Sequence, residues 1–195
     1  MYYEQVAEKG YKFLLQKLQE QSKMNSDEGG KLRATSGNNV ELLVDYIFNC
    51  FQEHYNNSDI TISIGRFKPI YITLLDGTKY AESVDRHIYK NDKLIYAIEC
   101  KTYLDKCSLS RVYVDYSLMK AHSNSFIGTI LSIENAVKDE AYNLFMSAPY
   151  IDRVFYLATG KRSPKIEQRI YYHPERISLE LFKEFCKHFE EVVFA

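Results

Sequence analysis

Residues 83–90 read SVDRHIYK and residues 94–101 read LIYAIECK, with three polar residues between them. Both segments are rich in β-branched and aromatic residues and are bounded by turn-forming residues, a pattern typical of two strands joined by a hairpin. The break at residues 91–93 (Asn-Asp-Lys) predicts a three-residue loop. This hairpin decides the fold, because the register of its strands determines which side chains share a face.

The predicted register places two carboxylates together. A three-residue loop opposes Lys90 to Leu94 and therefore Asp85 to Glu99. Side chains alternate along a strand, so both acids lie on one face, with Lys101 two residues beyond Glu99. The Cβ atoms of directly opposed residues are about 5 Å apart, close enough for one cation to bridge both carboxylates. A two-residue loop would send Asp85 to the opposite face.

The other face of the hairpin is mostly apolar, as expected of a face that packs on a core helix. Arg86 is the exception on this face. The apolar members are Val84, Ile88, Leu94, Tyr96, Ile98 and Cys100.

The length and composition are those of a folded domain. A chain of 195 residues predicts one compact domain over residues 1–195, with its core at about residues 38–158 and helical additions at both ends. Apolar residues make up 46% of the chain, which excludes a disordered protein. The formal net charge of −1 excludes an overall basic excess, although a local basic face could still bind DNA beside an acidic site.

The cysteines and the hydropathy indicate the compartment. Four cysteines show no paired-disulfide spacing, so reduced thiols in a cytoplasmic protein are expected. No apolar run approaches the ~18 residues that would span a bilayer. The N-terminus lacks the apolar core of a signal peptide. We therefore expect a soluble cytoplasmic protein with no membrane partner.

The remaining pattern predicts an α/β fold. We expect a restriction-endonuclease-like mixed sheet, an antiparallel meander followed by a parallel crossover, with helices flanking it. Residues 25–30 and 160–165 are predicted as polar and basic turns. The predicted helices cover residues 2–23, 40–55, 108–122 (begun by Ser108), 135–147 and 178–193. The predicted strands cover residues 60–64, 70–74, 83–90, 94–101, 126–133 and 153–158, with a further edge strand at 166–172.

The hairpin residues suit phosphodiester hydrolysis. This reaction needs an oriented water and stabilisation of charge on the phosphate and the leaving oxygen, which divalent cations can supply. Mg²⁺ prefers oxygen ligands and keeps several waters, so Asp85, Glu99 and the carbonyl of Cys100 form a sufficient ligand set. The ammonium of Lys101 would orient the attacking water or neutralise charge on the phosphate.

The spacing of these residues also matches a known family. Asp85, thirteen intervening residues and then Glu99-Cys100-Lys101 resemble the motif of the PD-(D/E)xK nuclease superfamily, especially type II restriction endonucleases. The run from Glu99 to residue 106 is similar to that of restriction enzymes that cut short asymmetric sites with two different subunits or domains. Val84 stands where the family motif has proline.

The resemblance implies a Mg²⁺-dependent endonuclease, with Mn²⁺ as a substitute metal. In some branches of the family the first core helix adds a glutamate to the metal site, and by position this is Glu41. Glu41 could instead close a capping box with Asn38, three residues before it. Cleavage of both strands of a duplex would need a homodimer, or a heterodimer with a second nuclease subunit.

Candidate DNA contacts follow the motif and the last crossover. Lys106, Arg111 and Lys120 could line a phosphate track, and Lys161 and Arg162 belong to a basic turn that could hold the DNA backbone. For Lys106, Arg111 and Lys120, ordinary solvated charge is the alternative.

Other functions remain open. The two acids and the lysine of the hairpin could form an exposed ion pair worth about 0–1 kcal/mol. The fold could also serve a DNA repair or junction nuclease, or a catalytically silent DNA- or protein-binding module.

Overall fold

The structure, a computed structural model, describes residues 2–23, 29–123, 126–162, 170 and 173–195. The helices are α1 (Tyr2–Ser22), α2 (Gly29–Tyr55), α3 (Lys106–His122), α4 (Asp139–Met146) and α5 (Leu179–Val193). The strands are β1 (Ile60–Ile64), β2 (Ile70–Thr73), β3 (Lys79–Glu82), β4 (Arg86–Lys90), β5 (Lys93–Leu104), β6 (Ile127–Asn135) and β7 (Arg153–Tyr156). Short 3₁₀ turns cover Gly65–Phe67 and Pro174–Arg176.

The main sheet is mixed and has the strand order β1-β4-β5-β6-β7. The pairs β1–β4 and β4–β5 are antiparallel, whereas β5–β6 and β6–β7 are parallel and are connected through α3 and α4. The predicted α/β fold, with an antiparallel part followed by parallel crossovers, is confirmed. The antiparallel part is not a simple meander, however, because β2 and β3 pair only with each other in a separate two-stranded sheet.

Helices cover both faces of the main sheet. On one face, α1, α2 and α5 pack together over Ile88, Tyr96 and Ile98. On the other face, α3 packs over Ala97 and Ile130, and α4 contributes partly buried residues to the same cluster. The central strand β5 is therefore buried from both sides, which explains its nearly continuous apolar sequence.

The turn of the central hairpin differs from the prediction. Lys90 pairs with Lys93, so the loop has two residues, Asn91 and Asp92. Both have positive φ (51° and 60°), as a type I′ turn requires. A one-residue bulge then shifts the register, because Ile88 pairs with Tyr96 while Tyr89 pairs with Leu94. The short loop and the bulge cancel, and the predicted register holds beyond the bulge.

The bulge changes the face of one predicted core residue. Leu94 lies with the α3-side cluster instead of the face that packs on α1, α2 and α5. Val84, which precedes the strand, also lies on the α3 side. The other four apolar residues of the predicted face, Ile88, Tyr96, Ile98 and Cys100, lie where the alternation placed them.

Helix α2 begins earlier than predicted. It starts at Gly29, eleven residues before the predicted start, so Asn38 and Glu41 lie inside the helix. The capping-box explanation of Glu41 is therefore wrong. Of the loop predicted at residues 25–30, Gly29 and Gly30 are helical, and residues 25–28 lie outside the described part of the chain.

Two further predictions concern the later elements. Helix α3 is capped by Asp105 and not by Ser108, since Oδ1 of Asp105 accepts the Ser108 backbone N–H at 2.7 Å. The edge strand predicted at residues 166–172 falls outside the described residues, apart from Ile170.

The described segments contain no helix with the length and apolar character that a membrane span requires. All four cysteine thiols are free, as predicted. Cys107 is exposed, whereas Cys50, Cys100 and Cys186 are buried.

Candidate active site

Asp85 and Glu99 converge at one end of the central hairpin. Arg86, the first residue of β4, pairs with Ile98, so one further step along the register brings Asp85 opposite Glu99. Oδ2 of Asp85 accepts the backbone N–H of Cys100 at 2.8 Å, which ties the acid to the neighbouring strand. Both carboxylates line the same cavity of about 700 Å³.

Glu99 is a buried acid with a lysine partner. It is 6% exposed, and Nζ of Lys101 contacts its Oε1. Burial, and then the charge of Asp85, raise the pKa of Glu99 to about 7, while Lys101 opposes the shift. Two carboxylates and one ammonium thus meet at the end of rigid strands, an arrangement with excess negative charge that a bound cation would relieve.

Arg86 connects this hairpin to α2. It is buried, and its guanidinium binds both carboxylate oxygens of Asp45 (2.7 and 2.8 Å) and Oε2 of Glu41 (2.7 Å). The same guanidinium donates to the backbone carbonyl of Asp85 at 3.0 Å. Burial disfavours the charged form, but the hydrogen bonds to Asp45 and Glu41 outweigh it and raise the pKa of Arg86. Arg86, the polar exception on the apolar face, therefore holds α2 against the backbone of Asp85.

Further charged residues line the cavity. Glu41 and Asp45 come from α2, Asp115 and Arg111 come from α3, and Arg66 comes from the turn after β1. Burial raises the pKa of Asp115. Nη2 of Arg111 lies 3.9 Å from Oε1 of Glu99, although the Arg111 side chain is two-thirds exposed.

A close backbone approach sets the position of Asp85. The backbone N–H of Gly65 donates to the carbonyl of Asp85 at 3.1 Å. A Cβ atom at Gly65 would lie 1.8 Å from the carbonyl oxygen of Val84, so any larger residue must displace the backbone there. His87, fully buried behind this contact, accepts the Val84 N–H through Nε2 at 3.3 Å. Glycine at position 65 is thus a steric requirement of the site.

The carboxylates of the cavity form a donor set with few members. Within the described residues, no group of three or more His, Cys, Asp or Glu side chains is arranged to hold a metal ion. Mg²⁺, however, is usually bound through one or two carboxylates and retains several waters. The pair formed by Asp85 and Glu99 fits that requirement, and the cavity of about 700 Å³ has room for the waters. Cys100 directs its side chain into the core, and its carbonyl remains a predicted ligand.

The five predicted DNA contacts lie in different surroundings. Arg111 lines the cavity, and Lys106 is exposed at the start of α3. Lys120 binds Asp152 and the carbonyl of Pro149, which leaves it little freedom to contact DNA.

The last two predicted contacts follow β7 in the chain and lie beside the last residue of β6. Lys161 forms an exposed ion pair with Asp139 at 2.9 Å. Arg162 lies over the Tyr103 ring at 3.8 Å and has the buried Glu134 carboxylate 3.3 Å away. Among the five candidates, the cavity lining includes Arg111 alone.

Among the cavity residues missed from the sequence are Asp45, Asp115 and Arg66. Asp45 follows Glu41 by four residues, so helical spacing could have placed it on the same face. Asp115 lies on α3, and Arg66 on the short turn after β1. Asp115 follows Arg111 by four residues, so helical spacing could have placed it as well, whereas Arg66 has no sequence signal because its position depends on how separate elements pack.

Comparison with known proteins gives a local match to a restriction enzyme. A 41-residue stretch is 42% identical to the type II restriction enzyme DdeI of Desulfomicrobium norvegicum, and it covers 21% of this chain and 17% of that enzyme. The solved structure of the native BbvCI A2B2 tetramer aligns with 98% of this chain and 86% of its own at 15% identity, with a TM-score of 0.38. No family model matches the chain. The local match confirms the resemblance to restriction endonucleases that the motif indicated.

Proposed function

We propose that this chain is a Mg²⁺-dependent DNA endonuclease of restriction type, acting alone or as one subunit. The observation that carries the proposal is the placement of Asp85 and Glu99 in one cavity, with the ammonium of Lys101 in contact with Glu99. The local match to a restriction enzyme supports the same chemistry. An acidic cavity is unfavourable for simple phosphate binding, so the two acids favour a catalytic site over a silent DNA-binding module.

Asp85 and Glu99 would hold the metal, with the carbonyl of Cys100 as a third ligand. A bound Mg²⁺ or Mn²⁺ would supply positive charge to the scissile phosphate and to the leaving oxygen. The hydrogen bond from the Cys100 N–H to Asp85 orients this carboxylate before substrate arrives. Preorganised ligands reduce the cost of assembling the site around the reacting phosphate.

Lys101 provides the second element of the chemistry. Its ammonium contacts Glu99, and it projects from the strand face that carries the acids. In this position it can orient an attacking water and neutralise charge that develops on the phosphate oxygens.

Glu41 acts from α2 in this proposal. Arg86 holds its carboxylate at 2.7 Å and places it in the wall of the same cavity. We assign Glu41 to a supporting role, either beside the metal or through its waters.

Double-stranded DNA is the proposed substrate and partner. Arg111 on α3 is the favoured phosphate contact at the cavity. Lys106, the first residue of the same helix, is a second proposed contact. One site of this kind cleaves one strand, so a cut through both strands needs a homodimer or a second nuclease subunit. The free thiols suit the cytoplasm, where we expect such an enzyme to act.

The test is cleavage of supercoiled plasmid with Mg²⁺, with Mn²⁺ and with chelator. We expect metal-dependent linear product from a homodimer, and nicked circles from a subunit without its partner. Asp85→Asn and Glu99→Gln should each lower the cleavage rate at least about 100-fold, because each removes a charge that the metal requires. Glu8→Gln, the same kind of change on the exposed surface of α1, is the matched control and should cleave like wild type.

The results separate the alternatives. Tight binding of DNA without cleavage under any metal condition would favour the binding module. Cleavage that persists in chelator, or that survives both site variants, would rule out the metal role of the two acids. Preferential cutting of branched over linear duplexes would favour a repair or junction nuclease.

A further inference from the structure

The two-stranded sheet stands apart from the main sheet and is inserted directly beside the acid pair. We call residues 66–82 the arm: the turn residue Arg66, the strands β2 and β3, and the loop that joins them. The arm connects β1 to β4, and its strands pair only with each other. Arg66 at its start lines the acidic cavity, and Glu82 at its end precedes Asp85 by three residues. Both ends of the arm therefore emerge from the cavity wall.

The inner face of the arm is fixed to the protein. Ile72 is 5% exposed, and Ile70 packs against the cluster under α3. Glu82 is also buried, and its carboxylate accepts the Ser83 backbone N–H at 3.0 Å. The arm is consequently held in a defined position relative to the two acids.

The outer face of the arm is free and carries no acid. Thr73 pairs with Lys79, and Tyr71 pairs with Ala81, so these four side chains share the face opposite Ile72. All four are exposed, Tyr71 to 61%. A phenol, a hydroxyl and an ammonium thus project from one small ribbon without any neighbouring carboxylate on that face.

The tip of the arm is a structured turn with an exposed apolar side chain. Oδ1 of Asp76 accepts the backbone N–H and the hydroxyl of Thr78 at 2.9 and 2.7 Å. Gly77, with φ of 83°, donates its N–H to the carbonyl of Leu74 at 2.9 Å. Leu75 is held at the apex of this turn with its side chain fully exposed. A leucine presented in this way gains nothing from packing within the chain and is available to a partner.

We propose that the arm enters the major groove of the bound duplex and contacts bases next to the scissile phosphate. The major groove admits a two-stranded β-ribbon, and hydroxyl, amine and apolar groups are suited to base edges and to the thymine methyl group. Because both ends of the arm lie at the cavity, the arm stands beside any duplex whose phosphate enters the cavity. The outer face carries one positive charge, that of Lys79, and no negative charge, which is compatible with DNA. This inference rests on the proposed nuclease function, which it deepens by locating a base-reading surface.

The test is site-specific photocrosslinking from the tip. Leu75→Cys in a Cys107→Ser background leaves three buried cysteines and one reactive thiol, which a benzophenone maleimide labels. The control is Glu8→Cys in the same background, at an exposed position on α1. Each labelled protein is irradiated with mixed-sequence duplex DNA, with Ca²⁺ and without divalent cations. We expect the tip label to crosslink DNA at least tenfold more than the control label.

A second measurement tests base reading. Tyr71→Ala/Lys79→Ala should weaken duplex binding at least about 30-fold and broaden the set of sequences cut, since it removes two base contacts worth about 1–3 kcal/mol each. Crosslinks from the tip to a second protein chain, or DNA crosslinking no better than from the label on α1, would overturn the arm as a groove reader. An unchanged cut-site profile in the double variant would overturn it as well.

The parent Cys107→Ser protein distinguishes failure of this inference from failure of the proposed nuclease function. If the parent cuts plasmid and the tip does not crosslink DNA, the arm proposal fails while the nuclease proposal stands. If the parent cuts nothing and the tip still crosslinks DNA, the arm is a DNA-binding element and the nuclease proposal fails.

Discussion

The guanidinium of Arg86 spans both carboxylate oxygens of Asp45, with Nε–Oδ1 at 2.7 Å and Nη2–Oδ2 at 2.8 Å. Its remaining nitrogen reaches Glu41 and the carbonyl of Asp85. A single buried side chain thus determines the distance between α2 and the strand that carries the first acid. Because the contact is bidentate, an ammonium cannot reproduce it.

Arg86→Lys should therefore lower both stability and activity. Loss of the charged hydrogen bonds should reduce the free energy of unfolding by about 2–3 kcal/mol. Plasmid cleavage should fall as Asp85 and α2 separate. Urea unfolding measures the first effect and initial cleavage rates the second. Lys187→Ala, which removes an exposed ion pair with Glu191 on α5, is the control and should change stability by less than about 0.5 kcal/mol. Wild-type stability in Arg86→Lys would mean that the contact does not hold α2 in place.

Gly65→Ala tests the close approach at Val84. The added Cβ has no room, so the backbone before Asp85 must shift, and overpacking of this kind costs about 1–3 kcal/mol. We expect a lower free energy of unfolding and at least about tenfold slower cleavage, since small displacements at a reacting centre are costly. Gly37→Ala is the matched control. No atom lies within 4 Å of its new Cβ, and alanine favours the helix, so stability should stay equal or rise by up to about 1 kcal/mol.

The sequence predicted the central hairpin well because its signal is local. Alternation along residues 83–90 and 94–101 placed Asp85 and Glu99 together even though the loop length was wrong. The error was cancelled by the bulge that follows Ile88, which no composition signal indicates. The start of α2 was missed because its first eleven residues, GGKLRATSGNN, contain mostly weak helix formers and no apolar stripe.

Tertiary contacts explain what sequence patterns could not provide. Strand propensity identified β2, but not that β1 would pair with β4 across the arm. Likewise, Arg86 was recognised as an exception on an apolar face, yet its partners lie 41 and 45 residues away on α2. The motif predicted the two acids on adjacent strands. Arg66 and Asp115 lie in the turn after β1 and on α3, and only the tertiary fold brings these elements to the acids.

Lys101→Met should separate chemistry from binding. Without the ammonium, we expect the single-turnover cleavage rate to fall about 100- to 1,000-fold, the range for the loss of one preorganised charged group. Affinity for duplex DNA, measured with Ca²⁺, should change less than about threefold, because the residue acts on the reacting phosphate and not along the DNA. Lys12→Met on the exposed surface of α1 is the matched control. Cleavage at the wild-type rate in Lys101→Met would remove the role assigned to this lysine.

Arg111 and Lys120 lie on the same helix but should differ in DNA binding. Arg111 is exposed at the cavity, so Arg111→Ala should reduce the slope of log affinity against log salt by about 0.9, the value for one phosphate contact. Lys120 is bound to Asp152, whose carboxylate also accepts the Gly128 N–H, so Lys120→Ala should leave that slope unchanged and lower stability by about 1 kcal/mol. Equal slopes for the two variants would contradict this division. Fluorescence anisotropy over a salt series provides the measurement.

His188 should make stability depend on pH. Its ring packs between Tyr96 and Phe155. Burial, and then the charge of Arg153, lower its pKa below the ordinary 6.5, while Glu191 and Asp152 oppose the shift. The unfolded chain therefore takes up a proton at a pH where the folded chain does not. The contribution of His188 to the free energy of unfolding is present in full above about pH 6.5. It is lost as the pH falls toward the pKa of the folded state, by at most about 1.4 kcal/mol per pH unit.

The measurement for His188 is urea unfolding at pH 7.5, 6.5 and 5.5. Wild type should lose more stability over this range than His188→Gln does, since the variant has no proton to take up at this position. His122→Gln, which changes an exposed histidine at the end of α3, should keep the wild-type pH dependence. Parallel pH profiles for wild type and His188→Gln would show that the buried ring titrates alike in both states. In that case burial between the two aromatic rings does not hold His188 neutral.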